Sequence, residues 1–334
     1  MSNNTNTLFW VITGAVVVLG IFLLTNNTSN GTIENINSKF SSYAEDVISD
    51  PVLKEYYGHV PNYNDLEITD ESLFTFNAST QTITRYNGSE TEIVFPYEIN
   101  GIEVKKIANL NIHNNVLMAE RCERYQELAE LYPDEYHYTS QVQRMEQMGI
   151  IVDGVCQERK KLTKVVLPNT ITEIGSAAFM SNEELTDVVL PPSIEKIDIQ
   201  AFQSCNLTKL ELEKLPNLKF IGTYAFDSNN ITGTVVIPAS VTYLSYHVFG
   251  FNDITHGVVE ADLDELPLYT FRGNPNMIDV TFKHPDMSIR EIIDGNEYTF
   301  EQDSDFIVYV PTGSRSWYSQ FPALQRYNII EKDM

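Results

Sequence analysis

Basic residues are scarce in this sequence. Only 22 of its 334 residues are Lys or Arg, against 46 Asp and Glu, so the formal net charge is −24 at pH 7. Because nucleic-acid binding depends on clustered Lys and Arg, this balance excludes a nucleic-acid partner. An acidic surface is typical of an exported protein that stays soluble and repels non-specific polyanions.

Cysteine is scarce as well. Three cysteines in a chain of this length do not make a disulfide scaffold, so the fold must rest on its apolar core. The length suits two ordinary domains, or one elongated repeat array with additional segments.

Catalytic and metal-binding signatures are also missing from the sequence. Its six histidines form no H-E-x-x-H motif, no paired ligand spacing and no partner for a G-x-S-x-G motif; they are His59, His113, His137, His247, His256 and His284. The acidic run from Asp294 to Asp305 offers oxygen ligands for calcium, but it lacks the ligand order of an EF-hand loop, so a solvated loop is expected there. We therefore predict no enzyme activity, no cofactor and no metal.

What the sequence does contain is a repeat. Residues 162–184 read LTKVVLPNTITEIGSAAFMSNEE, and residues 185–206 read LTDVVLPPSIEKIDIQAFQSCN. Five such units of 22 to 24 residues lie between successive starts at Leu162, Leu185, Leu207, Ile231, Ile254 and Met277. A fixed period of this kind predicts a solenoid, because each unit can bury its apolar face only against its neighbours.

Two positions of the unit recur most strictly. A Phe late in each unit follows a small or modest residue and is predicted to stack in the core: Phe179, Phe202, Phe226, Phe249 and Phe271. Three positions later comes an Asn or a Cys, where a buried amide satisfies backbone groups of the turn: Asn182, Cys205, Asn229, Asn252 and Asn274. At Cys205 we expect a buried small residue rather than a reactive thiol.

The form L-x-x-V-x-L-P-x-x-[IV]-x-x-I-G-x-x-A-F resembles the BspA-like class of leucine-rich repeats, found mainly in bacterial surface proteins. The resemblance covers roughly residues 70–330, with one interruption. It implies a mostly β, curved, right-handed leucine-rich-repeat solenoid and a role in adhesion to host or neighbouring-cell proteins. Pro168, Pro191 and Pro238 have no exact equivalent in the third and fifth units, which leaves the strand-to-loop path of those units open.

An apolar segment stands near the N-terminus. Residues 8–24 are uncharged and mostly apolar, and a helix of about 25 Å just crosses a hydrocarbon core of about 30 Å with help from its flanks. We predict an uncleaved signal anchor with the C-terminal region outside the cell; cleavage is the alternative. No Lys or Arg precedes the segment, so the positive-inside rule gives almost no orientation signal.

The pattern divides the chain into seven segments. They are a short tail (1–7), a transmembrane signal anchor (8–24), a stalk helix and linker (25–69), an N-terminal cap with a divergent first repeat (70–107), a helical insertion (108–160), the leucine-rich repeats (161–282), and an irregular loop with a C-terminal cap (283–334). The helical spacing in residues 33–48 fits either a membrane-proximal stalk or a helix that covers an end of the core.

Both caps have their own sequence signals. Alternating runs from Ser72 predict a hairpin, followed by a divergent repeat from Ile93 to Ile107 with a turn at Asn100 and Gly101. Residues 306–330 are similar to the end of BspA-like arrays, which predicts a strand, a Gly turn, a short helix and a final strand.

The insertion interrupts the array with helical patterns. These run from Val116 to Tyr132 and, beyond Pro133, around residues 141–148. A segment of about 50 residues exceeds an ordinary loop; it either carries function or shields apolar solenoid surface. Cys122 and Cys156 both lie in it, and we hypothesise that they form a disulfide worth about 3 to 4 kcal/mol in the loop-entropy model.

Outward positions of the first strand of each unit form a candidate protein-binding face. They are Lys164, Val166, Asp187, Val189, Lys209, Glu211, Thr234 and Val236. An exposed aliphatic column marks a docking face, although strand propensity alone also selects Val at such positions.

The predicted function is binding or adhesion at the cell surface, to an extracellular or host protein. The alternative is a pilin-like structural subunit of a surface filament, suggested by the apolar N-terminal helix, although the basic leader and nearby Glu of a prepilin are absent. An enzyme would need a converging polar pocket, which we would expect between the insertion and the solenoid.

Overall fold

Parallel pairing between successive repeats builds the fold. The computed structural model describes residues 66–110, 112–147, 150–157, 161–263, 265–267, 269–284, 291–292 and 306–334, all within the unit Leu66–Met334. The predicted tail, signal anchor and stalk helix, and the acidic run from Asp294 to Asp305, lie outside these residues. Among the described helices, none has the length and apolar character that crossing a membrane requires.

The N-terminal cap is a hairpin followed by a divergent repeat, as predicted. A 3-10 turn at Glu71–Leu73 precedes strands β1 (Phe74–Asn77), β2 (Thr82–Tyr86), β3 (Glu92–Val94), β4 (Glu98–Ile99), β5 (Ile102–Glu103) and β6 (Lys106–Ile107). Strands β1 and β2 pair antiparallel. Asn100 and Gly101 join β4 to β5 with φ angles of 51° and 74°, a left-handed pair that suits a tight hairpin turn.

The insertion forms three helices and a small hairpin. They are α1 (Ile112–Glu120), α2 (Cys122–Leu131), α3 (Tyr136–Gln147), β7 (Ile151–Val152) and β8 (Val155–Cys156). The helical prediction is confirmed, except that the run from Val116 to Tyr132 is two helices. The helical run is interrupted at Arg121. Its backbone N–H donates to the carbonyl of Met118, three residues earlier, in place of the regular partner four residues earlier.

The repeats alternate a first and a second strand. In chain order these are β9 (Lys164–Val166), β10 (Glu173–Ile174), β11 (Asp187–Val189), β12 (Lys196–Ile197), β13 (Phe220–Ile221), β14 (Thr232–Ile237), β15 (Tyr243–Leu244), β16 (Asp253–Val259), β17 (Glu265–Leu266) and β18 (Asp279–Phe282). The C-terminal part adds β19 (Glu291–Ile292), β20 (Ile307–Pro311), α4 (Arg315–Tyr318), a 3-10 turn (Pro322–Leu324) and β21 (Asn328–Lys332). The strand, turn, short helix and final strand predicted for the C-terminal cap are therefore confirmed.

Three sheets line the stack. The N-terminal hairpin and the second strands up to β15 form a seven-stranded sheet in the order β1-β2-β6-β10-β12-β13-β15, whereas β17 pairs with β19. The first strands split into a three-stranded sheet, β11-β9-β3, and a five-stranded sheet, β14-β16-β18-β20-β21. Pairing of β6 with β10 and of β3 with β9 stacks the divergent repeat directly on the first full unit, so the insertion leaves the register of the array intact.

The split between the two first-strand sheets falls in the third repeat, which starts at Leu207. This unit has two more residues between its first-strand Leu and its second-strand Ile than the preceding units, Leu212 to Ile221 against Leu190 to Ile197. A 3-10 helix at Leu212–Lys214 takes up the surplus. The third unit therefore forms no first strand, whereas the fifth forms the regular strand β16.

The predicted Phe column is the centre of the core. Its five rings are almost completely buried, and consecutive centroids lie 5.2, 5.5, 5.9 and 5.5 Å apart with nearly parallel planes. Phe95 meets Phe179 edge-on at 6.0 Å and extends the column into the N-terminal cap. Offset stacking at these distances adds to the free energy gained by burying the rings.

The Asn column satisfies the turns, as predicted. The amide nitrogen of Asn229 donates to the carbonyls of Phe226 and of Phe202 in the preceding repeat, at 3.1 and 2.9 Å. Its oxygen accepts the backbone N–H of Leu207 at 3.1 Å. Asn252 and Asn274 make the same three kinds of bond. Each amide thus links one repeat to the preceding one through groups that would otherwise be buried without partners.

Candidate binding surfaces

The predicted first-strand face is present only in part. Lys164 pairs with Asp187 and Val166 with Val189 in the register of β9 and β11, and the Lys164 and Asp187 side chains approach to 3.6 Å. These residues form the outward surface of the three-stranded sheet. The column stops there, because the next repeat has no first strand.

The other predicted residues of this face lie elsewhere. Lys209 and Glu211 form an ion pair beside the 3-10 helix, where Lys214 also binds the Glu211 carboxylate at 2.9 Å. Thr234 and Val236 belong to β14, in the five-stranded sheet. The eight predicted residues therefore do not share one sheet, and their role in binding stays a prediction.

Val166 needs a second correction, since it is buried with an exposed fraction of only 3%. It lies on the central strand of its sheet, between Val94 and Val189 in register. Its two cross-strand neighbours, Val94 and Val189, are half-buried. Val189 and Val236 are half-buried, while Asp187, Lys209 and Thr234 are exposed.

The insertion has a small core of its own. Cys122, Met145, Ile150 and Ile151 are buried together in it. The structure joins the two cysteines that the sequence analysis pairs: the sulfurs of Cys122 and Cys156 are 1.94 Å apart. The remaining thiol, Cys205, is buried in the Asn column, and burial raises its pKa to about 12. It is therefore an unreactive core residue, as expected.

The insertion also exposes large apolar side chains. Leu131, Tyr132 and Tyr136, around the turn from α2 to α3, have exposed fractions of 62%, 52% and 81%. Val152 and Val155 on the β7–β8 hairpin are exposed too. The side chain of Gln126 in α2 donates to the carbonyl of Gly154 at 2.9 Å and fixes the hairpin against that helix.

A cavity of about 220 Å³ lies between the insertion and the repeats and is lined by residues of both. An enzyme would need a converging polar pocket at this place. Val116, Leu117 and Leu162 supply the apolar part of its lining, and Glu120 and Glu183 supply carboxylates. Among the described residues, no cluster of His, Cys, Asp and Glu is arranged to hold a metal ion.

The sequence analysis missed a ladder of rings on the turns of the later repeats. Tyr224, His247 and Tyr269 stand two positions before the column Phe and stack at 4.9 and 4.4 Å, with the Arg272 guanidinium 5.0 Å from the Tyr269 ring. All three ladder residues have left-handed backbones, with φ between 56° and 62°. Aligning this position across the five units would have found the ladder.

His247 of this ladder and the neighbouring Asp227 are ionisable. Burial raises the pKa of the Asp227 carboxyl, against the opposing hydrogen bonds from Ser228 and Gln203. Burial also lowers the pKa of His247, and the Arg272 charge adds to this, although Asp227 opposes it. Among the described residues, neither Asp227 Oδ1 nor His247 Nδ1 has a hydrogen-bond partner. Gly250 makes room for the carboxylate, since a Cβ there would meet Asp227 Oδ1 at 2.5 Å.

A second row of side chains crosses the seven-stranded sheet. Glu173 lies between Lys106 and Lys196, at 2.7 and 3.3 Å. Burial disfavours its charge, but the hydrogen bonds and charges of both lysines outweigh that effect and lower its pKa. Lys196 also lies 5.4 Å from the ring of Phe220, which stacks on Tyr243 at 4.7 Å. Cross-strand pairs therefore stabilise this outer face of the sheet.

Comparison with known proteins identifies the repeats. A family model described as a BspA type leucine rich repeat region matches residues 150–278, in six copies. No curated protein matches the chain.

Solved structures of several leucine-rich repeat proteins are similar to the chain. The T. pallidum leucine rich repeat protein is 20% identical, over 65% of this chain and 86% of its own, with a TM-score of 0.43. A leucine-rich repeat protein from Bacteroides ovatus is 19% identical, over 46% of this chain and 50% of its own, with a TM-score of 0.32. The pneumococcal vaccine antigen PcpA is 13% identical, over 76% and 77% of the two chains, with a TM-score of 0.28. With TM-scores this low, these structures add nothing to the family match.

Proposed function

Residues 150–278 form a BspA-type leucine rich repeat region, and we propose that the chain is a cell-surface binding protein whose helical insertion contacts an extracellular protein. The observation that carries this proposal is the independence of the insertion. The repeats pair in register across it, so the strand pairing of the array continues without any strand from the insertion. A segment that the scaffold does not require, yet holds in a defined structure, is where a repeat protein places its contacts.

The surface of the insertion supports this role. Its exposed Leu131, Tyr132 and Tyr136 are of the apolar and aromatic kinds that mark contact sites, and Tyr is enriched in protein interfaces. The disulfide and the Gln126–Gly154 bond hold the helices and the hairpin together. Such preorganisation reduces the entropy lost on binding. Adhesion and anchorage to the cell surface through residues 8–24 are part of the same proposal.

A binding assay tests the proposal. The purified protein is applied to immobilised extracellular matrix proteins, beside a variant in which a short Gly-Ser linker replaces residues 117–157. This deletion keeps Leu110 and Ile112, which belong to the main core. Binding should be lost in the deletion variant and reduced at least about tenfold by Tyr136→Ser.

The matched control is Tyr243→Ser, which removes an exposed tyrosine from the repeats and should leave binding unchanged. Tyr243 has an exposed fraction of 49%. Equal binding by the wild-type protein and the deletion variant would move the contact surface to the repeats. Failure of the wild-type protein to bind any matrix protein would contradict the proposal.

A further inference from the structure

The Asn column has an open end at its first member. Asn182 is buried, with an exposed fraction of only 6%, and its amide nitrogen donates to the carbonyl of Phe179 at 2.6 Å. In the later repeats the amide oxygen accepts a backbone N–H from the start of the unit, as Asn229 does from Leu207. The corresponding bond from Leu162 is not made, and no residue in the described part of the chain donates to Asn182 Oδ1.

This acceptor belongs to the lining of the cavity beside α1. Because the amide nitrogen of Asn182 is already bonded to the Phe179 carbonyl, the oxygen is the atom of this side chain that can accept a hydrogen bond from a ligand donor. The other lining residues indicate which kind of donor group fits the cavity. Glu120, Glu183 and Glu184 supply three carboxylates, and Lys161 is the one cationic side chain in the described lining.

Lys161 does not cancel these carboxylates. Its ammonium lies 3.8 Å from Glu184, and both side chains are more than half exposed, so solvent screens the pair strongly. Glu120 and Glu183 have no basic partner among the described residues. Glu120 is also the last residue of α1, and the C-terminal end of a helix favours a cation.

The apolar lining completes the description of the ligand. Val116, Leu117 and Leu162 suit an aliphatic stem that ends in a charged group. The volume of about 220 Å³ is below the range of about 300 to 1,000 Å³ that is usual for drug-sized ligands, so a single side chain fits better than a whole metabolite.

Resting on the proposed binding function, we propose that this cavity receives the side chain of a lysine on the protein partner. The aliphatic stem contacts Val116, Leu117 and Leu162, and the ammonium donates to Asn182 Oδ1 and to the carboxylates of Glu120 and Glu183. Lysine fits better than arginine for two reasons. An ammonium has three donors that point in different directions. A guanidinium also gains from stacking on an aromatic face, and no aromatic residue is part of the described lining.

The probe for this site is N-acetyl-lysine methylamide, titrated into the full-length protein and followed by NMR or calorimetry. The isosteric control, N-acetyl-norleucine methylamide, keeps the stem and lacks the ammonium. The lysine probe should bind at least about tenfold more tightly than the norleucine probe and the equivalent arginine probe, a difference of about 1.4 kcal/mol. Equal affinity for lysine and norleucine, or a preference for arginine, would overturn the proposal. A free amine such as hexylamine that binds more tightly than the lysine probe would also overturn it.

Three variants locate the site. Glu120→Gln and Glu183→Gln should each weaken the lysine probe, whereas Glu195→Gln removes an exposed carboxylate outside the cavity and should not. Asn182→Cys removes the amide oxygen, and the fold already accepts Cys at the same position of the next repeat, where Cys205 donates to the Phe179 carbonyl at 3.1 Å. It should weaken the probe while the circular dichroism spectrum is retained. Undiminished probe binding in all three variants would place the lysine elsewhere.

The two proposals fail separately. If the wild-type protein binds a matrix protein and ignores the lysine probe, the binding function stands and the lysine site is wrong. If the probe binds and no matrix protein does, the cavity is a lysine site and the proposed adhesive function is wrong.

Discussion

At the scale of single residues, stability is concentrated in the Phe column. Each ring contacts one ring above and one below, as Phe202 does with Phe179 and Phe226 at 5.2 and 5.5 Å. Removing a middle ring therefore opens a void that the β-sheets on either side cannot close. Packed interiors tolerate such voids poorly, because the atoms that line them lose their contacts.

Phe202→Ala should lower the free energy of unfolding by about 3 to 5 kcal/mol. Phe202→Leu, which keeps most of the volume, should cost less than half as much. Urea denaturation followed by circular dichroism measures both. Equal stability of the alanine variant and the wild-type protein would show that the stacked register is wrong.

The buried amides are the second contribution at this scale. Asn229→Ala leaves the Leu207 N–H and the Phe202 carbonyl without side-chain partners, while the Phe226 carbonyl keeps its bond from Asn252, so it should cost about 2 to 4 kcal/mol. The adjacent Asn230 is exposed, and Asn230→Ala should change stability by about 0.5 kcal/mol or less. Denaturant melts of the two variants provide the comparison. Similar losses in both would mean that the buried amide has no special role.

The turn ladder should make stability depend on pH. The folded-state pKa of His247 lies below its usual 6.5. The contribution of His247 to the free energy of unfolding is therefore fully present above pH 6.5 and is lost as pH falls through the folded pKa. The raised pKa of Asp227 acts oppositely: its contribution is present below pH 3.8 and is lost as pH rises through the folded pKa. His247→Tyr keeps a ring between Tyr224 and Tyr269 and removes the titration.

The measurement is the free energy of unfolding of wild type and His247→Tyr at pH 7.5 and pH 5.5. The wild-type protein should lose more stability than the variant on acidification, because only its unfolded state takes up the extra proton. Parallel losses in the two proteins would assign the pH dependence to other groups.

The sequence pattern predicted some of these residues and missed the environment of others. The Phe and Asn columns were predictable, because one residue type recurs at a fixed position. The burial of Val166 was not predictable, because it depends on which strands flank β9. The open oxygen of Asn182 was not predictable either, since it follows from where the insertion rejoins the array.

At the scale of elements, the insertion has a buried cluster of its own beside that of the repeats. Their buried clusters are distinct: Cys122 and Met145 belong to one, and Phe179 and the other column rings belong to the other. The main cluster includes two residues of the insertion, Leu110 and Ile112, where it leaves the array. Local opening of the insertion should therefore leave the solenoid folded.

The double variant Cys122→Ala/Cys156→Ala should destabilise the insertion selectively. In the loop-entropy model, the 34-residue separation corresponds to about 3 to 4 kcal/mol. Hydrogen exchange should show faster exchange in residues 112–157 and unchanged protection in residues 161–263. The wild-type protein in reductant should reproduce this pattern. Faster exchange throughout the repeats would show that the two units are coupled.

Element boundaries show where sequence reasoning reached its limit. The proline positions identified the regular strand-to-loop path in the units with Pro168, Pro191 and Pro238. Their absence flagged the third and fifth units equally, yet only the third lacks its first strand. The cause is its two additional residues before Ile221, a matter of length rather than of residue type.

At the scale of the whole molecule, acidity is the dominant feature. With a net charge of −24, the carboxylates repel one another across the surface. Ion pairs between repeats offset this repulsion only locally, as at Lys106, Glu173 and Lys196. The same field attracts basic partners and raises their rate of association at low ionic strength. A lysine-bearing partner is therefore favoured by the overall charge as well as by the cavity.

Self-repulsion of this size should make the folded state more stable in salt. Raising NaCl from 0.05 to 0.5 M shortens the Debye length from more than 10 Å to about 4 to 5 Å, so the melting temperature at pH 7 should rise. A gain of about 1 kcal/mol corresponds to roughly 1 to 2 °C for a protein of this size. Near pH 4.5, the sequence pI, the net charge vanishes and the increase should disappear. A melting temperature that falls with salt at pH 7 would instead assign the larger effect to the ion pairs, since salt screens attraction between Glu173 and its lysines just as it screens repulsion.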